Sequence, residues 1–156
     1  MNTIIIFGAK YLIIFIVLIA GIYFFKLEKQ KKKEMAVFAI IALPIIFLLS
    51  RLAGKLYFNP RPFVVGNFLP LIAHGSDNGF PSDHTLLSTA VAVVVYLYNK
   101  KIGIILGLLA TLVGLARVAS GVHHLADIFG SIMIAVLVTM LMHKYVLKIV
   151  MHKINK

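Results

Sequence analysis

Three short stretches of this chain bring together side chains whose types and spacing could do chemistry. In RVASGVHHLAD, Arg117 to Asp127, the aspartate follows His123 by four residues. If a helix begins near His123, the two side chains share a face, and the carboxylate can fix the imidazole tautomer and raise the basicity of its other nitrogen. A nucleophilic or basic histidine needs this support. In FPSDHT, Phe80 to Thr85, Pro81 ends a loop, and Ser82 or Asp83 can cap a helix starting at His84. The positive end of that helix suits phosphate. In KLYFNPRPF, Lys55 to Phe63, Arg61 stands between two prolines as a preorganised guanidinium fork, and Lys55 adds a point charge. Combined with Arg117, these groups would neutralise an anion while His123 attacks it and His84 protonates the leaving oxygen.

Plainer readings compete with this one. The arginines could anchor phospholipid headgroups, Ser82 or Asp83 could serve only as a helix cap, and His74 could be an ordinary loop residue. A metal enzyme is the chemical rival. Two-metal phosphatases hold their ions mostly with carboxylates, whereas here Asp77, Asp83 and Asp127 stand among several cations. Adjacent His123 and His124 would point in different directions on a helix, so no metal site is expected. The absence of cysteine excludes thiol nucleophiles, thiolate metal sites and disulfides.

The elements that must position these residues are membrane helices. The 156 residues are 61% hydrophobic with only 13% charged, far below the roughly 25% of soluble domains, and mean hydropathy is +0.99. The net charge of +11 lies in short runs that flank apolar stretches, a pattern unlike a solvated nucleic-acid-binding face. Five spans are expected: from near Ile4 to Phe25 with Lys10 snorkelling, Met35 to Leu52 through Pro44, His84 to Tyr98, Ile102 to Ala116, and Leu125 to about Val146. Without a basic n-region and a small-residue cleavage site, the first stretch reads as a retained span. Residues Arg51 to Asp83 read as an irregular loop in the interface, rich in proline and aromatic residues. With no repeat or soluble appendage visible, residues 1–156 form one integral-membrane domain, an all-α polytopic helix bundle.

Alternating spans place Lys26, Lys29, Lys31, Lys32, Lys33, Lys100, Lys101 and the tail lysines Lys144, Lys148, Lys153 and Lys156 on one side. The positive-inside rule makes that side cytoplasmic, with the C-terminus there and the N-terminus outside. Arg51, Lys55, Arg61 and Arg117 then gather on the extracytoplasmic face of a multi-pass cell-membrane protein.

Over Lys55 to Asp127 the sequence resembles the type 2 phosphatidic acid phosphatase (PAP2) superfamily of lipid phosphatases. That signature has three parts: Lys, six residues and Arg-Pro; Pro-Ser-Gly-His; and Ser-Arg, five residues, His, three residues, Asp. Arg61 and Pro62 match the first part, Pro81, Ser82 and His84 the second, and Arg117, His123 and Asp127 the third. Only five residues separate Lys55 from Arg61, Asp83 replaces the glycine, and Ala116 replaces the serine. The resemblance implies a PAP2/chloroperoxidase-like helical core, usually of six spans. It also implies metal- and cofactor-independent hydrolysis through a phosphohistidine. His123 would be the nucleophile, Asp127 its orienting partner and His84 the general acid. Lys55, Arg61, Ser82 and Arg117 would be the phosphate ligands.

RPFV followed by FPSDHT further resembles the bacterial undecaprenyl-diphosphate phosphatases associated with bacitracin resistance. This makes conversion of undecaprenyl diphosphate to undecaprenyl phosphate and phosphate the leading expectation. Phosphatidylglycerophosphate, phosphatidic acid and lipid A phosphates are the alternative substrates. A non-enzymatic lipid-headgroup binding or transport subunit is the alternative of a different kind, although it would have no use for a His123–Asp127 pair.

Overall fold

The computed structural model describes residues 1–147 and 149–151; Lys148, Lys153 and Lys156 of the tail lysines lie outside the described residues. Seven α-helices follow in order: α1 (Asn2–Lys10), α2 (Leu12–Lys26), α3 (Lys29–Leu56), α4 (Pro62–Val65), α5 (Asp83–Tyr98), α6 (Lys100–Ala119) and α7 (Leu125–Met142). A π-helical turn, His143–Leu147, continues α7. The described elements are all helical, apart from a single bridge between Pro60 and Asn78. This is an all-α polytopic membrane bundle. Many of its large apolar side chains face outward, among them Ile40, Leu108, Leu125 and Phe129, as lipid contact requires.

α3, α6, and α7 with its continuation are long and apolar enough to cross a bilayer. α1 and α2 make a fourth if counted together, although they meet at a bend of 45°. α5 is apolar but has only 16 residues, a rise of about 24 Å against roughly 30 Å of hydrocarbon. Length and composition thus give three or four spans where five were expected. The unbroken first span also gives way to two helices that follow different neighbours. α1 leans on α6, where a Cβ on Gly8 would come within 2.9 Å of the Ala116 Cβ, while α2 packs on α5.

Two helices run longer than the sequence implied. α3 takes in the lysine run at its start and continues through Pro44 to Leu56, so Arg51 and Lys55 are helical rather than part of a loop. No breaker intervenes before Asn59-Pro60, and the Asn78 side chain donates to the terminal carbonyls of Gly54 (2.7 Å) and Tyr57 (3.0 Å), closing the helix end. α6 likewise passes Ala116 and carries Arg117 in its last turn.

Phe38 and Ile46 from α3, Ile16 from α2, Val95 from α5, Leu106 and Val113 from α6, and Ala135 from α7 form the buried centre. α5 and α6 form a tight hairpin about Asn99, whose Oδ1 accepts from the Ile102 N–H at 3.1 Å. The ends of α3 and α6 and the starts of α5 and α7 meet at one end of the bundle, where the loops 57–82 and 120–124 also lie. At the opposite end, Tyr98 reaches Glu34 and His143 packs on Phe38.

Candidate active site

The cluster is built around His123, which lies just outside α7 rather than on it. α7 starts at Leu125 with His124 as its N-cap residue, and Asp127, in the first turn, accepts from the His124 N–H at 2.8 Å. This capping contact brings Asp127 Oδ2 within 3.3 Å of His123 Nδ1, although the pair does not share a helical face. A carbonyl from another loop is closer, since Gly79 O lies 2.9 Å from the same nitrogen. With two acceptors at Nδ1, the network assigns the proton there and leaves Nε2 with its lone pair.

Asp127 is fully buried and is held from its other oxygen by Asn59 Nδ2 at 2.7 Å. Gly79 fits because it has no side chain: a Cβ there would lie 3.0 Å from both Asn59 O and Asp127 Oδ2.

Two buried guanidinium groups converge on the free nitrogen. Arg61 Nη1 lies 3.3 Å and Arg117 Nη2 3.4 Å from His123 Nε2. Arg61 is fixed on all sides, with Nε donating to Asp77 Oδ1 (2.9 Å), Nη1 to Val122 O (2.9 Å) and Nη2 to Asn78 O (3.2 Å). Arg117 is sparsely partnered, and its buried Nε has no hydrogen-bond acceptor. A buried cation with spare donors calls for an anion.

These groups open onto a cavity of about 370 Å³ whose walls include Arg51, Lys55, Arg61, Arg117, His74, His84, Asp77 and Asp83. Four permanent cations face two carboxylates, so the cavity favours an anionic guest. The charge also bears on the loop histidines. Burial, reinforced by Arg117 and Arg61 against the Asp127 hydrogen bond, holds the His123 pKa below its ordinary 6.5. His74, stacked edge-on to His123 at 6.0 Å, is lowered by burial and the same two arginines. Partial burial pushes the Asp77 carboxyl up, but the hydrogen bond and charge of Arg61 outweigh it and hold the pKa below the ordinary range.

The structure brings His84, His123, Lys55, Arg61 and Arg117 to this one cavity, with Asp127 behind His123. Ser82 is different. It is the N-cap residue of α5 but makes no side-chain cap, its buried hydroxyl accepts from Thr85 Oγ1 at 3.2 Å, and it does not line the cavity. Asp83, also expected as a possible cap, is the first residue of α5 and pairs instead with Arg51. A lysine separated from Arg61 by six residues would stand at position 54, where Gly54 lies so close to the Phe80 carbonyl that a Cβ would be 2.8 Å from it. Lys55 reaches the cavity from the next position.

Sequence reasoning did not single out Asn59, Asn78 or Gly79. Their only signals are an Asn-Pro and an Asn-Gly pair, which read as turns. Among the described residues, no three His, Asp or Glu side chains are grouped so as to hold a metal ion.

Residues 33–151 match the PAP2 superfamily. The chain belongs to that superfamily. This PAP2 chain is 34% identical over 138 residues to the bacitracin transport permease protein BcrC of Bacillus licheniformis, covering 88% of the chain and 68% of that protein. It is 30% identical over 148 residues to the undecaprenyl-diphosphatase BcrC of Bacillus subtilis, covering 93% of the chain and 75% of that protein. A solved structure, the transmembrane PAP2-type phosphatidylglycerolphosphate phosphatase of B. subtilis, matches with a TM-score of 0.65 and 27% identity, covering 92% of this chain and 75% of that one. The PAP2 chain is accordingly a hydrolase of the lipid phosphatase type, and the relatives do not single out one lipid.

Proposed function

We propose that this protein hydrolyses the terminal phosphate of a membrane lipid, either a phosphomonoester or a diphosphate, through a phosphohistidine. The carrying observation is the convergence of Arg61 and Arg117 on His123 Nε2 while Gly79 O and Asp127 fix Nδ1. Simple anion binding has no use for an oriented imidazole lone pair at the focus of two guanidinium groups. His123 Nε2 attacks phosphorus, a P–N bond forms, and the P–O bond to the lipid breaks with its electron pair on the leaving oxygen. His84 supplies a proton to that oxygen where the leaving group is an alcohol. Water then attacks the phosphohistidine and the P–N bond breaks; the proton of the water passes to His84 where that residue has donated its own, and otherwise to a phosphoryl oxygen, and inorganic phosphate leaves with His123 restored.

Arg61, Arg117 and Lys55 hold the phosphoryl oxygens throughout. Ser82 joins them if its hydroxyl turns from Thr85 toward the cavity. The bundle crosses the membrane five times as one domain, with α5 as a short fifth span. The end carrying the arginines faces outside, and the lysine-flanked end faces the cytoplasm.

The expectation of undecaprenyl diphosphate alone widens here to both substrate kinds, because a phosphatidylglycerolphosphate phosphatase and an undecaprenyl-diphosphatase resemble the chain over most of its length. Purified protein in detergent should release phosphate from phosphatidylglycerophosphate, undecaprenyl diphosphate, or both, in matched micelles containing EDTA. Release that requires an added divalent metal would overturn the mechanism. Tight binding of all these lipids without turnover would favour a headgroup-binding subunit.

A further inference from the structure

One ion pair at the cavity wall has no part in the reaction as described. Arg51 and Lys55 stand one helical turn apart on α3, and both line the cavity beside Asp83 and His84. Arg51 rests on the Phe47 ring, with its guanidinium carbon 4.6 Å from the ring centroid, and pairs through Nη2 with Asp83 Oδ1. It is about half exposed, unlike buried Arg61 and Arg117, so its charge belongs to the mouth of the cavity rather than its floor. Arg51 thus lies on the same wall as His84, the side proposed for the leaving group.

We infer that Arg51 is a specificity-determining residue that recognises the second, lipid-proximal phosphate of a diphosphate substrate. The inference rests on the functional reading above, and leaving-group chemistry gives it its logic. When a phosphomonoester is cleaved, the departing group is an alcohol, which needs a proton. When a diphosphate is cleaved, the bond from the bridging oxygen to the terminal phosphorus breaks, and the electron pair departs on a phosphate monoester. With a second pKa of about 6, that monoester can leave as an anion, so positive charge beside it replaces proton donation. A guanidinium presents parallel N–H donors suited to two phosphate oxygens at once. Asp83 holds the Arg51 guanidinium over the cavity mouth, and the incoming phosphate exchanges with that carboxylate as its partner.

The test uses two substrates that differ only in the second phosphate, farnesyl diphosphate and farnesyl monophosphate, in detergent micelles with the full chain. Arg51→Ala should lower kcat/KM for the diphosphate at least tenfold more than for the monophosphate. Arg51→Lys, which restores a point charge without the fork, should recover part of that ratio. Monophosphate turnover by the same preparation reports that the variant is folded, and Arg51→Gln repeats the comparison with a side chain of similar length. Equal losses on both substrates, or no loss on either, overturn the assignment of Arg51 while leaving the functional reading in place. A wild-type protein that releases phosphate from neither farnesyl substrate overturns the inference, and one that also spares phosphatidylglycerophosphate and undecaprenyl diphosphate overturns the functional reading.

Discussion

At the scale of single residues, the site divides the two nitrogens of one imidazole between two tasks. Nδ1 is held by Gly79 O and Asp127, and Nε2 faces the guanidinium groups of Arg61 and Arg117. As the proposed nucleophile His123 must be neutral, and burial together with the two positive charges favours that form. Because the His123 pKa is lowered from 6.5, the neutral form persists as pH falls through that value and is lost only further down. The acid limb of kcat/KM, which reports the free enzyme, should therefore fall below pH 6.5; a limb above it would contradict a depressed His123. The spacing of His123 and Asp127 made this pair legible in the sequence. Asn59 and the Gly79 carbonyl were not legible, because they act across 68 and 44 residues of chain through contacts that no local pattern encodes.

Among the elements, the helix ends decide where chemistry can occur. The sequence marked α5, α6 and α7 by their apolar runs, but it placed the end of α3 too early. Arg51 and Lys55 precede a stretch whose prolines, glycines and turn signals point to a loop from residue 51 onward, whereas the helix continues until Asn78 satisfies its last carbonyls. The bend between α1 and α2 was likewise illegible, since it comes from packing on two different partners. The α5–α6 hairpin yields a prediction of its own. A Cβ on Gly103 would fall 2.3 Å from the Tyr96 Cα, a backbone atom that cannot move aside alone, whereas nothing lies within 4 Å of a Cβ on Gly107. Gly103→Ala should destabilise the protein by about 1–3 kcal/mol, seen as a lower Tm in detergent. Gly107→Ala should be neutral or stabilising by roughly 0.5–1 kcal/mol. Equal effects of the two substitutions would contradict the close helix approach.

For the whole molecule, charge is sorted between the two ends of the bundle. The arginines collect with the histidine cluster, and the described lysines Lys29 to Lys33, Lys100, Lys101 and Lys144 flank the other end. This sorting was legible from the order of apolar and basic segments, whereas the number of crossings was not, because α5 is too short to be counted by length alone. The chain has no cysteine, so single cysteines can be introduced without background. Gln30→Cys and Lys100→Cys should be labelled only from the cytoplasmic side and Leu69→Cys only from outside; labelling of 30 and 100 from outside would reverse the proposed orientation. The central claim is covalent, and its most direct measurement is rapid quenching of turnover into alkali, where phosphohistidine survives, followed by mass spectrometry of the peptide containing His123. The account predicts one phosphoryl group on His123, with neither phosphopeptide nor phosphate release in His123→Ala. Undiminished turnover by that variant, or a phosphoryl group found on another residue, would contradict it.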